Sequence, residues 1–544
     1  VAVDARIARS SAARRRAHPA AGRTLPQWPP QWPVEAWWAI GVTALFLSLS
    51  MWWVLRDESV PISDAGFHLE VAIEVFKDLQ AGHFSRAVEP HLQYPPLLYL
   101  VASAGAYIGG LGIPSMVIAE NLFFMTLLAL GCYRIGRLAF GPLAGLLAVI
   151  FALGSPLVMR MFHLVLLDAP QAGMTAASIW LILDTRYFTR LRYCAAAGLV
   201  FGLGMLTKES LALFVAGPLL VTLVRGGWRN WRGMAVFGLV VLAVAGPWYI
   251  GDYTQIKGIS TGVATAGTAT TSGIAPPRFS SLNLQWYLWS FLDSQLFLPL
   301  YLFAAVGWVW MLIGFVRRRW VSPLAPELAA GAFVAWLALT ETFVHDNRYG
   351  MSMLVYLAVL GSFWIVRLPR RGRIAASTAL VLVAIVNTLG GTFGVGGEWK
   401  VTLPHALQGP KMQPNFLLIS SNEGYLLSAA PDRRSDMLGT LRALKRRGVV
   451  GVLMLPSEAP NEAAFEEGLL PLTVIANVQF GESSSTAGLT PAVAVFDREK
   501  LGKSPAPPCV TLSDGTGVWI RLGDPYAAGA KNFCPSHKPQ FYLH

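Results

Sequence analysis

The chain has 544 residues, of which 54% are hydrophobic and only 14% charged, where an ordinary soluble protein carries roughly a quarter charged residues. Those proportions exclude a soluble enzyme and exclude disorder for the bulk of the chain, leaving an integral membrane protein. The net charge of +12 would suit nucleic acid, but so apolar a chain directs its cations to the membrane, and no nucleic-acid partner is expected.

Residues 1–34 are rich in Arg, Ala and Pro without an apolar core, and they read as a disordered basic cytoplasmic tail rather than a signal peptide. Apolar stretches of spanning length, about 20 residues each, follow near 35–55, 115–133, 142–159, 170–185, 193–207, 209–224, 233–250, 297–316, 327–344, 349–366 and 374–392. That pattern predicts an α-helical polytopic membrane protein with about 11 transmembrane helices. Arginines cluster in the tail, at Arg134/Arg137, Arg186 to Arg192, Arg225 to Arg232, Arg317 to Arg319 and Arg367 to Arg373, so every second loop is basic. By the positive-inside rule these loops are cytoplasmic. The loops 56–114, 160–169 and 251–296 and everything after about 393 are then outside, and the expected place is the plasma (inner) membrane.

The first outer loop is far longer than a turn requires, and long loops of this kind are usually functional. It opens with Arg56-Asp57-Glu58 and continues to Ser63-Asp64-Ala65-Gly66-Phe67-His68. Leu69, Ile73, Phe76 and Leu79 then recur at helical spacing, which predicts an amphipathic helix on the membrane surface. Tyr94-Pro95-Pro96 stops that helix. The apolar stretch 97–111 is read as a second surface helix, because one more span would invert every later basic loop.

Asp64 precedes the surface helix and Asp168 stands at the outer mouth of the fourth span. Each can be read as a helix-terminal acid favoured by the helix dipole, or as a carboxylate that serves as a general base for, or orients, a hydroxyl acceptor. Lys208, in Leu206-Thr207-Lys208-Glu209-Ser210, either pairs with Glu209, snorkels, or serves a ligand. Arg348, in His345-Asp346-Asn347-Arg348-Tyr349, is either an interfacial anchor beside an acid or a phosphate clamp, since a guanidinium matches phosphate geometry and stays charged. His68, His163 and His345 read as surface or packed histidines sooner than metal ligands, so no cofactor is called for and a divalent metal is only a weak alternative.

In the loop 251–296, the small-residue run Ala264–Gly273 reads either as a slack connection or as a lid. Trp286, Tyr287, Trp289 and Phe291 after it read as an interfacial aromatic helix at headgroup level. Residues 393–544 form a second domain by composition, with strand-like runs Val449–Leu455 and Ala492–Phe496 around a helical 433–447, which predicts a small extracytoplasmic α/β domain. Cys132 and Cys194 fall in or beside spans and read as packing residues. Cys509 and Cys534 share the tail, where an oxidising compartment would let them pair. The chain has no Walker or Gly-rich phosphate loop after a strand, so ATP-driven transport is unsupported.

Asp64-Ala65-Gly66-Phe67-His68, the surface helix ending at Gln80-Ala81-Gly82-His83-Phe84, and Tyr94-Pro95-Pro96-Leu97-Leu98-Tyr99 resemble the first outer loop of GT-C glycosyltransferases. The closest branch holds protein O-mannosyltransferases and lipid A aminoarabinose transferases. Tyr133-Arg134-Ile135-Gly136-Arg137, Leu167-Asp168-Ala169-Pro170, Gly204 to Lys208, Gly246-Pro247-Trp248-Tyr249 and Asn347-Arg348-Tyr349 continue the resemblance in order, over about 35–370. The resemblance implies transfer of one sugar from a polyprenyl-phosphate donor to a lipid, glycan or protein acceptor at the outer face, with inversion. By position it makes Asp64 and Asp168 the catalytic acids and sets Lys208, Arg348 and Tyr349 near the donor phosphate, with Asp57, Glu58, His68 and Tyr94 as accessory candidates. Many relatives carry Asp-Glu where this chain has Asp64-Ala65, so Asp57-Glu58 is the alternative match. A glycan polymerase or ligase of the same fold is the alternative within the family, and a transporter or flippase the alternative outside it. The last would predict inverted repeats and midplane ionisable groups.

Overall fold

The computed structural model describes residues 32–57, 63–88, 94–251, 280–317, 319–340 and 346–393, together with eight short strands between Lys400 and Tyr542. Among the described residues of the first 393, fifteen α-helices follow one another: α1 Val34–Val54, α2 Ser63–Gln80, α3 Leu97–Gly109, α4 Ile113–Phe140, α5 Pro142–Leu153, α6 Pro156–Met161, α7 Asp168–Asp184, α8 Leu191–Met205, α9 Leu211–Val224, α10 Trp231–Gly251, α11 Ser281–Ser290, α12 Phe297–Val316, α13 Ala325–Thr340, α14 Leu354–Phe363 and α15 Arg370–Phe393. A π-helical turn, Asn121–Met125, interrupts α4; another, Phe291–Leu296, joins α11 to α12; and the 3-10 turn Asn347–Met353 leads into α14.

The protein is an α-helical polytopic membrane protein. Among the described residues six helices are long and apolar enough to cross a membrane: α1, α4, α10, α12, the unit Asn347–Arg367 and α15. The other five predicted spans are the shorter helices α5, α7, α8, α9 and α13, of 12 to 17 residues. Outer helices turn large apolar side chains away from the protein, as Leu239, Leu242 and Ile250 do on α10, which is what a lipid solvent permits. By contrast, 83% of the apolar window in Asn347–Arg367 is buried. The helix that begins beside Arg348 is thus the axis around which the others pack.

Small residues let the helices approach. Gly131 of α4 lies against the backbone of Ala176, Gly173 of α7 against the carbonyl of Phe124, and Gly307 of α12 against the carbonyl of Leu360. This is how helices associate where lipid removes the hydrophobic drive between them. Helix α3 has 13 residues, one more than α5. It buries Leu98, Tyr99, Ala102 and Ala106 and packs on α2.

Alternate helix directions bring the basic clusters to one end of the bundle. There Arg134 donates to Asp184 at 3.0 Å and Arg225 to Glu327 at 2.8 Å. Asp168 at the start of α7, Lys208 after α8 and Arg348 before α14 fall at the opposite end.

The aromatic helix turns part of its ring surface toward the protein. Tyr287 and Phe291 are buried and Trp286 nearly so, because α11 packs inward on α13 and on the turn at Asn347–Met353. Its ties are polar: Asn283 donates to the Thr340 carbonyl and Ser290 to Asn347 Oδ1 at 2.8 Å. Composition marks such rings as apolar but does not say whether lipid or protein covers them.

In the tail the strands are β1 Lys400–Thr402, β2 Asn415–Leu417, β3 Gly451–Met454, β4 Thr473–Gln479, β5 Ala492–Phe496, β6 Val510–Thr511, β7 Gly517–Leu522 and β8 Gln540–Tyr542. β3 and β5 lie within the two runs read as strands. Six of them form a sheet in the order β6-β7-β5-β3-β4-β8, with β3 and β4 parallel and the other neighbours antiparallel. Helical 433–447, Cys509 and Cys534 lie outside the described residues, as do Ala264–Gly273 and most of residues 1–34.

The close approach at Gly307 gives a direct test. A methyl group there meets the Leu360 backbone, so Gly307→Ala should lower stability by about 1–3 kcal/mol, the usual cost of overpacking. Gly246→Ala, where the added methyl meets open space, should leave the unfolding midpoint in detergent unchanged. Equal midpoints for the two variants would contradict the packing of α12 on α14.

Candidate functional site

Three chain turns converge to build the site. The first is the turn after α8: Leu97 donates its backbone N–H to the Leu206 carbonyl at 2.8 Å, and Tyr249 donates its hydroxyl to the Met205 carbonyl at 2.8 Å. The Tyr-Pro-Pro-Leu and Pro-Trp-Tyr segments therefore hold one turn from two sides. Gln171 of α7 adds a hydrogen bond to Ser210 at 2.8 Å. Lys208, which follows from that turn, is fixed in place.

The second is the start of α7. Asp168 is 4% exposed, and its Oδ1 accepts from Lys208 Nζ at 2.8 Å. Burial works against the Lys208 ammonium, but the adjoining Asp168 carboxylate outweighs it and lifts the Lys208 pKa above its ordinary value. Lys208 therefore pairs across 40 residues with Asp168, in preference to the neighbouring Glu209 that local spacing offered.

The third is the 3-10 turn at Asn347–Met353. Asp346 caps it: its Oδ1 accepts the backbone N–H of Arg348 at 3.0 Å, and its Oδ2 lies 3.1 Å from Arg348 Nε. Arg348 also reaches Asp168, with Nε 3.8 Å from Oδ2, and Arg348 Nη2 donates to Asp64 of α2. Tyr349 lies beneath both cations, its ring centroid 4.6 Å from Lys208 Nζ and 5.6 Å from Arg348 Cζ, where a ring face favours positive charge.

Asp64, Asp168, Lys208, Arg348 and Tyr349 thus stand together. The carboxylate of Asp64 turns away from a purely local helix-end role to meet an arginine 284 residues away. It is 53% exposed, against 4% for Asp168, so the two acids sit in opposite environments. Asp346 joins them although sequence reasoning weighed it only as the neighbour of an anchoring arginine. Its capping position before a 3-10 turn was the available signal.

Of the accessory candidates, His68 lies one turn beyond Asp64 on α2 and is buried. Its Nδ1 pairs with the Tyr99 hydroxyl at 2.9 Å and its ring meets the edge of Tyr94. Burial draws its pKa down to about 4, against the opposing pull of Asp64 and Asp168. Asp57 ends α1, where its N–H bonds the Trp53 carbonyl, and Glu58 and His345 lie outside the described residues. His163 stacks on Trp53 with ring centroids 3.8 Å apart, as a packed histidine would. Among the described residues no group of three or more His, Cys, Asp or Glu is placed to hold a metal ion.

An apolar cavity of about 330 Å³ lies against the same turn, lined by Leu288, Phe291, Tyr301, Trp308, Trp336 and Met353 among others. Phe291 adjoins Ser290, which bonds Asn347, and Met353 ends the turn that begins one residue before Arg348. Arg348 and the cavity are thus joined through the turn Asn347–Met353, whose last residue lines the cavity.

The family comparison agrees with the motif pattern between Tyr94 and Tyr249. Residues 93–250 match the family model of dolichyl-phosphate-mannose-protein mannosyltransferase, so over that stretch the resemblance to GT-C glycosyltransferases stands. Among solved structures, the chain is similar to ArnT from Cupriavidus metallidurans in the apo state, at 19% identity and a TM-score of 0.49, over 79% of this chain and 75% of that one. The same protein bound to undecaprenyl phosphate gives 18% identity, a TM-score of 0.49 and the same coverage. No curated relative matches the chain in sequence.

His68 yields a pH prediction. The unfolded chain returns it to its ordinary value of 6.5, so between pH 6.5 and about 4 the unfolded state binds a proton that the folded state refuses. Its contribution is complete above pH 6.5 and is lost as pH falls through that window. Wild type should therefore lose on the order of 3 kcal/mol more than His68→Gln between pH 7 and pH 4. Parallel pH profiles of thermal unfolding for the two proteins would contradict the buried neutral imidazole.

Proposed function

We propose that this protein is a membrane glycosyltransferase of the GT-C type, moving a single sugar from a polyprenyl-phosphate donor to a lipid, glycan or protein acceptor on the outer side, with inversion at the anomeric carbon. The observation that carries the reading is the pair Lys208 and Arg348, delivered from separate turns and both facing one buried carboxylate. A prenyl phosphate has this composition: an anionic head that cations can hold and a hydrocarbon tail that the cavity suits.

Each side chain then has a distinct task. Lys208 and Arg348 hold the donor phosphate and stabilise the charge that grows on it as the bond from C1 to the phosphate oxygen breaks. That oxygen leaves with the bonding electrons, so no nucleotide is spent on the outer side. The acceptor hydroxyl or amine attacks C1 from the opposite face, which inverts it, and its proton passes to the exposed carboxylate of Asp64. Asp168, buried and doubly engaged, suits a positioning role better than a proton acceptor. The alternation of basic loops supports an outer position for the site end of the bundle.

Asp64→Asn keeps the shape and loses the basicity, so turnover with a polyprenyl-phosphate sugar should fall roughly 10²- to 10⁴-fold while the protein still folds. Normal turnover in that variant would remove the proton-accepting role from Asp64. Orientation is tested separately with single cysteines in cells. A cysteine replacing exposed His83 should react with an impermeant thiol reagent, and one replacing exposed Trp228 should react only after permeabilisation. The reverse pattern would put the site on the cytoplasmic side.

A further inference from the structure

Three carboxylates meet Arg348, and they do so on unequal terms. Asp168 is buried and held by Lys208 at 2.8 Å. Asp346 is committed to the backbone, capping the N–H of Arg348 at 3.0 Å while its other oxygen stands 3.1 Å from Nε. Asp64 comes from another element, meets the arginine through Nη2, and is 53% exposed. Together these three acids with Lys208 and Arg348 carry a formal charge of −1.

A donor phosphodiester brings one further negative charge. It gains most from Arg348 if a carboxylate gives way, since like charges at contact distance oppose binding. Asp168 would leave Lys208 and itself buried and unpaired, at high cost. Asp346 would strip the cap from the turn. Asp64 gives up a half-exposed pair, which is worth little, and regains water.

We propose that Asp64 and the donor phosphate compete for Arg348: the Asp64 carboxylate pairs with the guanidinium, the arriving donor phosphate displaces it, and Asp346 is the positioning residue that keeps Arg348 in place during the exchange. The inference rests on the donor-site reading above. Its consequence is an order of events. The carboxylate that accepts the proton is released only when the leaving group is seated, so donor binding precedes a competent encounter with the acceptor. An acceptor that arrives first meets a carboxylate already engaged by a cation.

The test is direct binding of farnesyl phosphate, a short prenyl phosphate, to the purified full chain in detergent, comparing variants that each remove one negative charge. Asp64→Asn should tighten binding about two- to fivefold, the range expected for removing one exposed ionic competitor. Asp346→Asn should weaken it by a similar factor, because asparagine still caps the turn but removes the negative charge 3.1 Å from Nε. Asp346→Ser, which also caps, should repeat the loss. A general electrostatic effect would tighten binding in all three, and general structural damage would weaken all three; either outcome overturns the proposal, as does an unchanged affinity in Asp64→Asn. Wild-type protein that does not bind farnesyl phosphate at all would remove the donor site itself and this inference with it.

Discussion

The buried ion pair between Asp168 and Lys208 is the constraint on which the rest of the site depends. Taking two charges out of water is expensive, and breaking such a pair by removing one partner is costlier still, because an unpaired charge then stays inside. Asp168 at 4% exposure and Lys208 at 15% are therefore locked to each other by the same apolar surroundings that make each unfavourable alone. The pair fixes the start of α7 against the turn after α8. Through its second oxygen Asp168 also faces Arg348, so one carboxylate sets the spacing of two cations from different parts of the chain.

Around that pair the molecule shows a division of labour between its two ends. Arg134 with Asp184 and Arg225 with Glu327 tie helices together at the basic end, where charge can rest at an aqueous interface. At the site end the cations are gathered with acids, an aromatic face and an apolar cavity in reach. The axis between the ends is the most enclosed helix, and small residues on its neighbours allow the close contacts that hold it. Precision at the site is thus supplied by packing at a distance, as in other preorganised sites.

Much of this was legible in the sequence, for identifiable reasons. Each apolar stretch of spanning length falls on helical structure among the described residues, although 142–159 divides into α5 and α6 and 349–366 opens as a 3-10 turn, because length and hydropathy are what a bilayer selects. The placement of 97–111 outside the set of spans rests on charge alternation alone, since α3 is as long as the shorter helices counted as spans. Asp64, Asp168, Lys208 and Arg348 could be singled out because a charged residue stands out against so apolar a background. What the sequence could not supply was tertiary choice. Lys208 takes Asp168 in place of the adjacent Glu209, and Asp346 serves the cluster as well as its own turn. The rings of α11 pack inward, since composition does not distinguish protein from lipid as the partner of an aromatic side chain.

The central claim is that Lys208 and Arg348, held by Asp168, form the seat of a lipid-linked phosphate. A structure of the full chain with a polyprenyl phosphate bound measures this most directly. The phosphate should lie within hydrogen-bonding distance of Lys208 Nζ and the Arg348 guanidinium, with the prenyl chain leading into the cavity at Phe291 and Met353. A phosphate bound elsewhere, with these two side chains in the same contacts as in the empty protein, would contradict the account.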